Sequence, residues 1–191
     1  GGAGGGGGGG GGHNKYVVQE LRDKGAVFVE DLDEVPSGAP VIFSAHGVPE
    51  SVFGSAAARN LTVIDAACPL VKKVHTSVKR HSGQGHRVVL IGHRGHPEVV
   101  GTMGQLPEGS VLLVGSVDDV RALDVQAGTP LAYTTQTTLS VDETRDIIQE
   151  LHARFPEIAG PARGDLCYAT TNRQQAVRQM ATEVDVLLVI G

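Results

Sequence analysis

The chain has 191 residues, a formal net charge of −5, 40% hydrophobic and 19% charged residues, enough to bury the core of one large domain or of two α/β units of roughly 100 residues each. The acidic balance argues against nucleic acid as the main partner, because phosphate binding needs a basic footprint. No apolar run reaches the ~18 residues that a membrane helix requires, and the start carries no signal-peptide pattern.

Residues 1–12 are eleven glycines and one alanine, a run that offers no side chains to bury and carries the highest backbone entropy; it reads as a linker, artefact or unassigned stretch rather than part of the fold. From His13 onward, helix and strand patterns alternate. Helical spacing over 16–24 stops at Gly25, and short apolar, β-branched runs at 26–30 and 41–45 predict strands. A helix is expected over 50–60, a strand over 61–65, and a helix over 70–81 bearing Val71, Val74 and Val78. Next come a strand at 87–92, a short helix at 98–104, a strand at 110–114, a helix at 117–123 and a strand at 131–135. Ser140 and Glu143 have capping-box spacing and open a helix to Phe155, which Pro156 stops; Thr171 and Gln174 suggest the same start for a helix to Ala181. Residues 184–190 read as a last buried strand. Continuous apolar strands separated by helices indicate an α/β fold of parallel sheet covered on both faces.

The chemically useful residues follow strand ends. The run 41–45 leads into His46-Gly47, 61–65 into Cys68-Pro69, 87–92 into His93 and His96-Pro97-Glu98, and 131–135 into Gln136-Thr137-Thr138. Open parallel sheets bind ligands at the carboxyl ends of their strands. Taken singly, each residue has a plainer reading. A histidine in a turn is most often a surface or capping residue, and a lone cysteine is usually a small buried hydrophobe. His96 with Glu98 could relay a proton or merely suit a helix dipole. His75, His81, His86 and His152 read as bland, and Lys72, Lys73, Lys79 and Arg80 as a solvated helix face.

Cysteine use narrows the metal chemistry. Cys68 and Cys167 are the only cysteines, and neither belongs to a CxxC pair, which excludes a self-contained four-cysteine zinc site. A disulfide is disfavoured in a chain that reads as cytoplasmic. Two thiols on separate loops suit an iron–sulfur cluster assembled from distant segments. The combination points to a metal-assisted enzyme acting on a small anionic molecule. The rivals are a zinc-dependent hydrolase using Cys68, Cys167 and a histidine, and a non-catalytic phosphate-binding module.

Six segments carry a more specific signal: HNKYVV (13–18), FSAHGV (43–48), DAACPLVKKVH (65–75), IGHRGHPEVVGTMGQ (91–105), TQTTLSVDET (135–144) and DLCYATTNRQQAV (165–177). Together they resemble the 4-hydroxy-3-methylbut-2-enyl diphosphate reductase (LytB) family from His13 to Gly191. The resemblance implies reductive dehydroxylation of an allylic diphosphate to isopentenyl and dimethylallyl diphosphate, the last step of the methylerythritol phosphate route. It implies a 4Fe–4S cluster held by three cysteines, with ferredoxin or flavodoxin as electron donor. By position, Cys68 and Cys167 match two cluster ligands, His13, His46 and His96 the histidines around diphosphate and substrate hydroxyl, Glu98 the proton-delivering acid, and Thr137 the threonine bonded near it. Thr170 and Asn172 match a supporting role behind the ligands. The family fold implies a trefoil of three small α/β units, here 13–68, 69–163 and the opening of a third at 164–191. Two family features have no counterpart in this sequence, the first cluster cysteine and the serine- and asparagine-rich phosphate loop, so the chain is expected to hold a cluster poorly by itself.

Overall fold

The computed structural model describes residues 14–161 and 164–188. Helix α1 (Lys15–Asp23) is capped by Asn14, whose side chain accepts from the amides of Tyr16 and Val17. Strand β1 (Pro40–Phe43) and strand β2 (Thr62–Asp65) pair in parallel, joined by helix α2 (Glu50–Ala58). Helix α3 (Pro69–Gly83) leads to strand β3 (Arg87–Ile91), and helix α4 (Pro97–Met103) to strand β4 (Val111–Val114). Helix α5 (Val117–Ala122), strand β5 (Leu131–Thr135), helix α6 (Val141–Arg154) and helix α7 (Tyr168–Ala181) complete the order. Strands β4, β3 and β5 form a second parallel sheet with β3 in the centre. This is the α/β class with short parallel sheets that the alternation predicts.

Strand β3 shows why its sequence is continuously apolar. Side chains alternate across a strand, and here both faces are covered. Val88 and Leu90 pack with Val74 and Val78 of α3 and Val99 of α4. Val89 and Ile91 pack with Val120 of α5 and Ile147 and Leu151 of α6. Each such buried aliphatic side chain stabilises the fold by about 1.5–3 kcal/mol. A smaller core joins Phe43, Val52, Ala56 and Leu61 beneath the β1–β2 pair.

Three expectations need correction. Residues 26–30 form no strand: Val27 is 84% exposed, and only Val29 of that run reaches the small core, so no pairing edge repays an extended ladder. Residues 184–188 also form no strand, with Val186 and Leu188 exposed; residues 189–191 lie outside the described ones. Helix α7 starts at Tyr168 with Cys167 as its cap, three positions before Thr171. The Thr171 hydroxyl instead donates back to the Cys167 carbonyl at 3.1 Å, an i to i−4 bond inside the helix. The Ser140–Glu143 capping box does form.

Candidate active site

Strand ends converge because the loops after them are short and tightly seated. After β1 the chain turns through His46 and Gly47, where φ is +74°, a conformation that favours glycine. A Cβ on Gly47 would lie 2.6 Å from Cε1 of His75 on α3, and one on Gly101 of α4 would lie 3.0 Å from the Gly47 carbonyl oxygen. The loop can therefore settle against both helices, which delivers His46 to His96. Their rings meet edge to face with centroids 5.6 Å apart.

His96 caps α4, and its Nδ1 accepts the amide of Glu98 at 3.2 Å. An imidazole nitrogen that accepts from an amide carries no proton, so the proton of a neutral His96 sits on Nε2. Pro97 follows at the first helical position, where its missing N–H is tolerated.

Glu98 is the least expected side chain in the core, only 1% exposed. Its Oε1 accepts the Thr137 amide at 2.6 Å and its Oε2 the Thr137 hydroxyl at 2.9 Å. Burial pushes its proton affinity above the ordinary carboxylate range, and the negative charge of Asp165 adds to that; the two Thr137 bonds oppose the shift without cancelling it. The result is a carboxyl group that keeps its proton at a higher pH than an exposed glutamate does.

The two cysteines cap helices. Cys68 precedes Pro69 at the start of α3, and its amide donates to the Ala45 carbonyl at 2.9 Å. Cys167 caps α7, and its amide donates to the Thr137 carbonyl at 2.7 Å. Both thiols are free and half-buried. The backbone amides of Thr170 and Ala169, with the Thr170 hydroxyl and the charge of Arg173, lower the Cys167 thiol against a smaller opposing effect of burial, the environment that favours thiolate at a helix start.

Six of the seven predicted site residues thus form one connected arc. Cys68 is bonded to Ala45, beside His46; His46 meets His96; His96 caps Glu98; Glu98 is held by Thr137; and Thr137 is bonded to Cys167. The seventh, His13, lies outside the described residues. Among the described residues, no three His, Cys, Asp or Glu side chains gather closely enough to hold a metal ion. Thr138 is exposed and receives a bond from the Gln136 amide nitrogen, while the Gln136 oxygen holds the His93 amide. A cavity lined by His93, Leu139 and Glu143 lies on the other side of β3 and includes none of the arc.

One buried charge escaped the strand-end reading. Asp165 is 1% exposed and accepts from the Thr134 hydroxyl at 2.6 Å, the Thr135 amide at 3.4 Å and Lys73 Nζ at 3.1 Å. Its position two residues before Cys167 in a motif-bearing segment was the available signal. The lysine-rich face of α3 is solvent-exposed as expected, and it carries ion pairs: Lys73 reaches this buried carboxylate, Lys72 pairs with Asp65 at 2.7 Å, and Lys79 with Glu50 at 2.5 Å. Lysine stems that cross a helix surface can reach partners that sequence spacing does not reveal.

A family model described as LytB protein matches residues 12–191. The chain belongs to the LytB family. It is 60% identical over 179 residues to the 4-hydroxy-3-methylbut-2-enyl diphosphate reductase of Ruegeria sp. (strain TM1040), covering 94% of this chain and 57% of that protein. It is also 60% identical over 180 residues to the protein of the same name from Methylocella silvestris, covering 94% of this chain and 56% of that one. Among solved structures it is similar to the E-1-hydroxy-2-methyl-but-2-enyl-4-diphosphate reductase from Plasmodium falciparum, with a TM-score of 0.87 and 42% identity over 91% of this chain and 54% of that one. The chain therefore spans a little over half the length of the curated LytB-family relatives it matches.

Proposed function

We propose that this chain is the greater part of a 4-hydroxy-3-methylbut-2-enyl diphosphate reductase, and that the arc from Cys68 to Cys167 is its active site. The observation that carries the reading is Glu98, a buried carboxyl group with raised proton affinity, held by Thr137 between two histidines and two cysteine-capped helices. The relatives named as reductases supply the substrate class, an allylic diphosphate.

The reaction replaces a C–O bond by a C–H bond: two electrons and two protons enter, and water leaves with the hydroxyl oxygen. The donor set fits an iron–sulfur cluster, since both thiols are unpaired and Cys167 is biased toward thiolate. Cys68 and Cys167 would hold it, and a third thiolate is not among these residues. When bound, a 4Fe–4S cluster supplies electrons, received from ferredoxin or flavodoxin, and an open iron as Lewis acid.

The chain's own groups do the rest. Glu98, whose burial raises its hold on a proton, can exchange one with the Thr137 hydroxyl, 2.9 Å away, toward the departing hydroxyl. His96, with His46 beside it, offers an anion-binding edge for diphosphate, and the family resemblance assigns His13 to the same substrate group. Thr170 and Asn172 support the Cys167 turn. The units 13–68, 69–163 and the opening of a third at 164–191 form part of a trefoil around this site, in a cytoplasmic enzyme. The test is elemental analysis after anaerobic preparation of a protein of the relatives' full length. Iron with acid-labile sulfide supports the reading, whereas stoichiometric zinc without sulfide refutes it in favour of the hydrolase.

A further inference from the structure

We infer that Lys73 and Asp165 are positioning residues that set the placement of Cys68 relative to Cys167. This inference rests on the reading of those two cysteines as ligands of one cluster. Cys68 begins α3, and Lys73 lies five residues along the same helix, about 7.5 Å of helix rise away. From there Lys73 Nζ reaches the segment before α7, donating to the Gly164 carbonyl at 3.2 Å and to Asp165 Oδ1 at 3.1 Å. Asp165 Oδ2 faces the other way, onto the Thr134 hydroxyl and the Thr135 amide at the end of β5. Two residues later, Cys167 is bonded through its amide to Thr137. One carboxylate therefore ties together the helix that carries the first thiol, the strand end that carries the Glu98 clamp, and the loop that carries the second thiol.

The placement of the charge argues for more than a surface ion pair. The Asp165 side chain is fully buried while Lys73 remains 42% exposed, so the lysine comes to the carboxylate. Exposed pairs contribute little to stability, whereas a buried charge is costly unless every oxygen is held. Both oxygens of Asp165 are held, one by Lys73 on α3 and the other by Thr134 and Thr135 on β5. Such an arrangement fixes directions between elements, and directions between ligand-bearing elements are what a cluster assembled from distant loops requires.

The test uses a protein of the relatives' full length in which every cysteine other than Cys68 and Cys167 is replaced by serine, so that these two are the only thiols. Nitroxide labels on both cysteines report the distribution of distances between them by dipolar EPR, with no cluster or substrate present. The parent chain is expected to give one narrow distribution. Asp165→Asn and Lys73→Met are expected to broaden it while far-UV circular dichroism stays unchanged, and Lys73→Arg to restore the narrow form. If Asp165→Asn does not fold, Lys73→Met, altered at the half-exposed end of the pair, decides alone. A pair that only stabilised the fold would lower the unfolding temperature and leave the width below it unchanged. An unchanged width in a folded variant overturns the inference. Since no iron or turnover enters the measurement, its failure is separate from any failure of the reductase reading, which metal analysis decides.

Discussion

Thr137 holds both oxygens of Glu98, one through its amide at 2.6 Å and the other through its hydroxyl at 2.9 Å. The two bonds do different work. The amide bond fixes the carboxyl group whatever side chain stands at 137, while the hydroxyl is the only one of the two that can both donate and accept a proton. Replacing Thr137 by Val removes the hydroxyl and keeps the shape. Because that bond lowers the proton affinity of Glu98, its loss raises it further. The alkaline limb of the pH–rate profile of the full-length protein is therefore expected to move to higher pH as the rate falls, about 10²-fold on the scale of a lost proton-transfer partner. Thr137→Ser should keep the parent profile. A Val variant with an unshifted limb and parental rate would remove Thr137 from the proton path.

Gly47 is where the His46 loop depends on backbone rather than side chain. Its φ of +74° costs a β-carbon residue about 1–2 kcal/mol, and a Cβ there would sit 2.6 Å from His75 Cε1. Overpacking of that kind costs roughly 1–3 kcal/mol more. Gly47→Ala should lower stability in urea by about 2–5 kcal/mol. The reference substitution is Gly54→Ala on α2, where a Cβ meets nothing within 4 Å. Equal midpoints for the two variants would show that the loop is not clamped in this way.

His75 makes the fold acid-sensitive. Burial, and then the charge of Lys79, lower it from 6.5 to about 4, against smaller opposing effects of Asp65 and Glu50; its Nε2 is buried without a hydrogen-bond partner among the described residues. The unfolded chain takes up the proton first as pH falls through 6.5, so the stability linked to this residue is whole above that pH. It declines between about 6.5 and about 4 and levels off below. His75→Phe removes this titration, so the stability difference between parent and variant should shrink or change sign across that window in favour of the variant. Parallel urea midpoints from pH 7 to pH 4 would contradict it.

Most of this fold was legible because β3, β4 and β5 carry apolar runs too continuous for anything but a strand covered on both faces, and because Ser140 and Glu143 form the cap their spacing suggests. The run at 26–30 has the same composition and forms no strand, since β propensity without a neighbouring edge does not make a ladder. At the site, strand ends located His46, Cys68, His96, Glu98 and Thr137, which the structure brings into contact through short loops. What the sequence could not supply was depth. Nothing in the string His96-Pro97-Glu98 says that the glutamate is buried while His93 is exposed, and nothing in a lysine-rich helix face says that Lys73 reaches a buried aspartate 92 positions away. Both facts arise from the way α3 and α4 pack on the sheet, a relation between distant segments rather than a local pattern.

In the proposed reaction, Glu98 delivers protons to an allylic diphosphate being reductively dehydroxylated at this site. The most direct measurement is anaerobic turnover of that substrate by a protein of the relatives' full length, beside Glu98→Gln, with iron content determined for both. Gln keeps the shape and can still accept from Thr137, but has no acidic proton. Equal iron and a fall in turnover of about 10²–10⁴-fold are expected for the variant. A variant that turns over as fast as the parent, at equal iron, would contradict this role of Glu98.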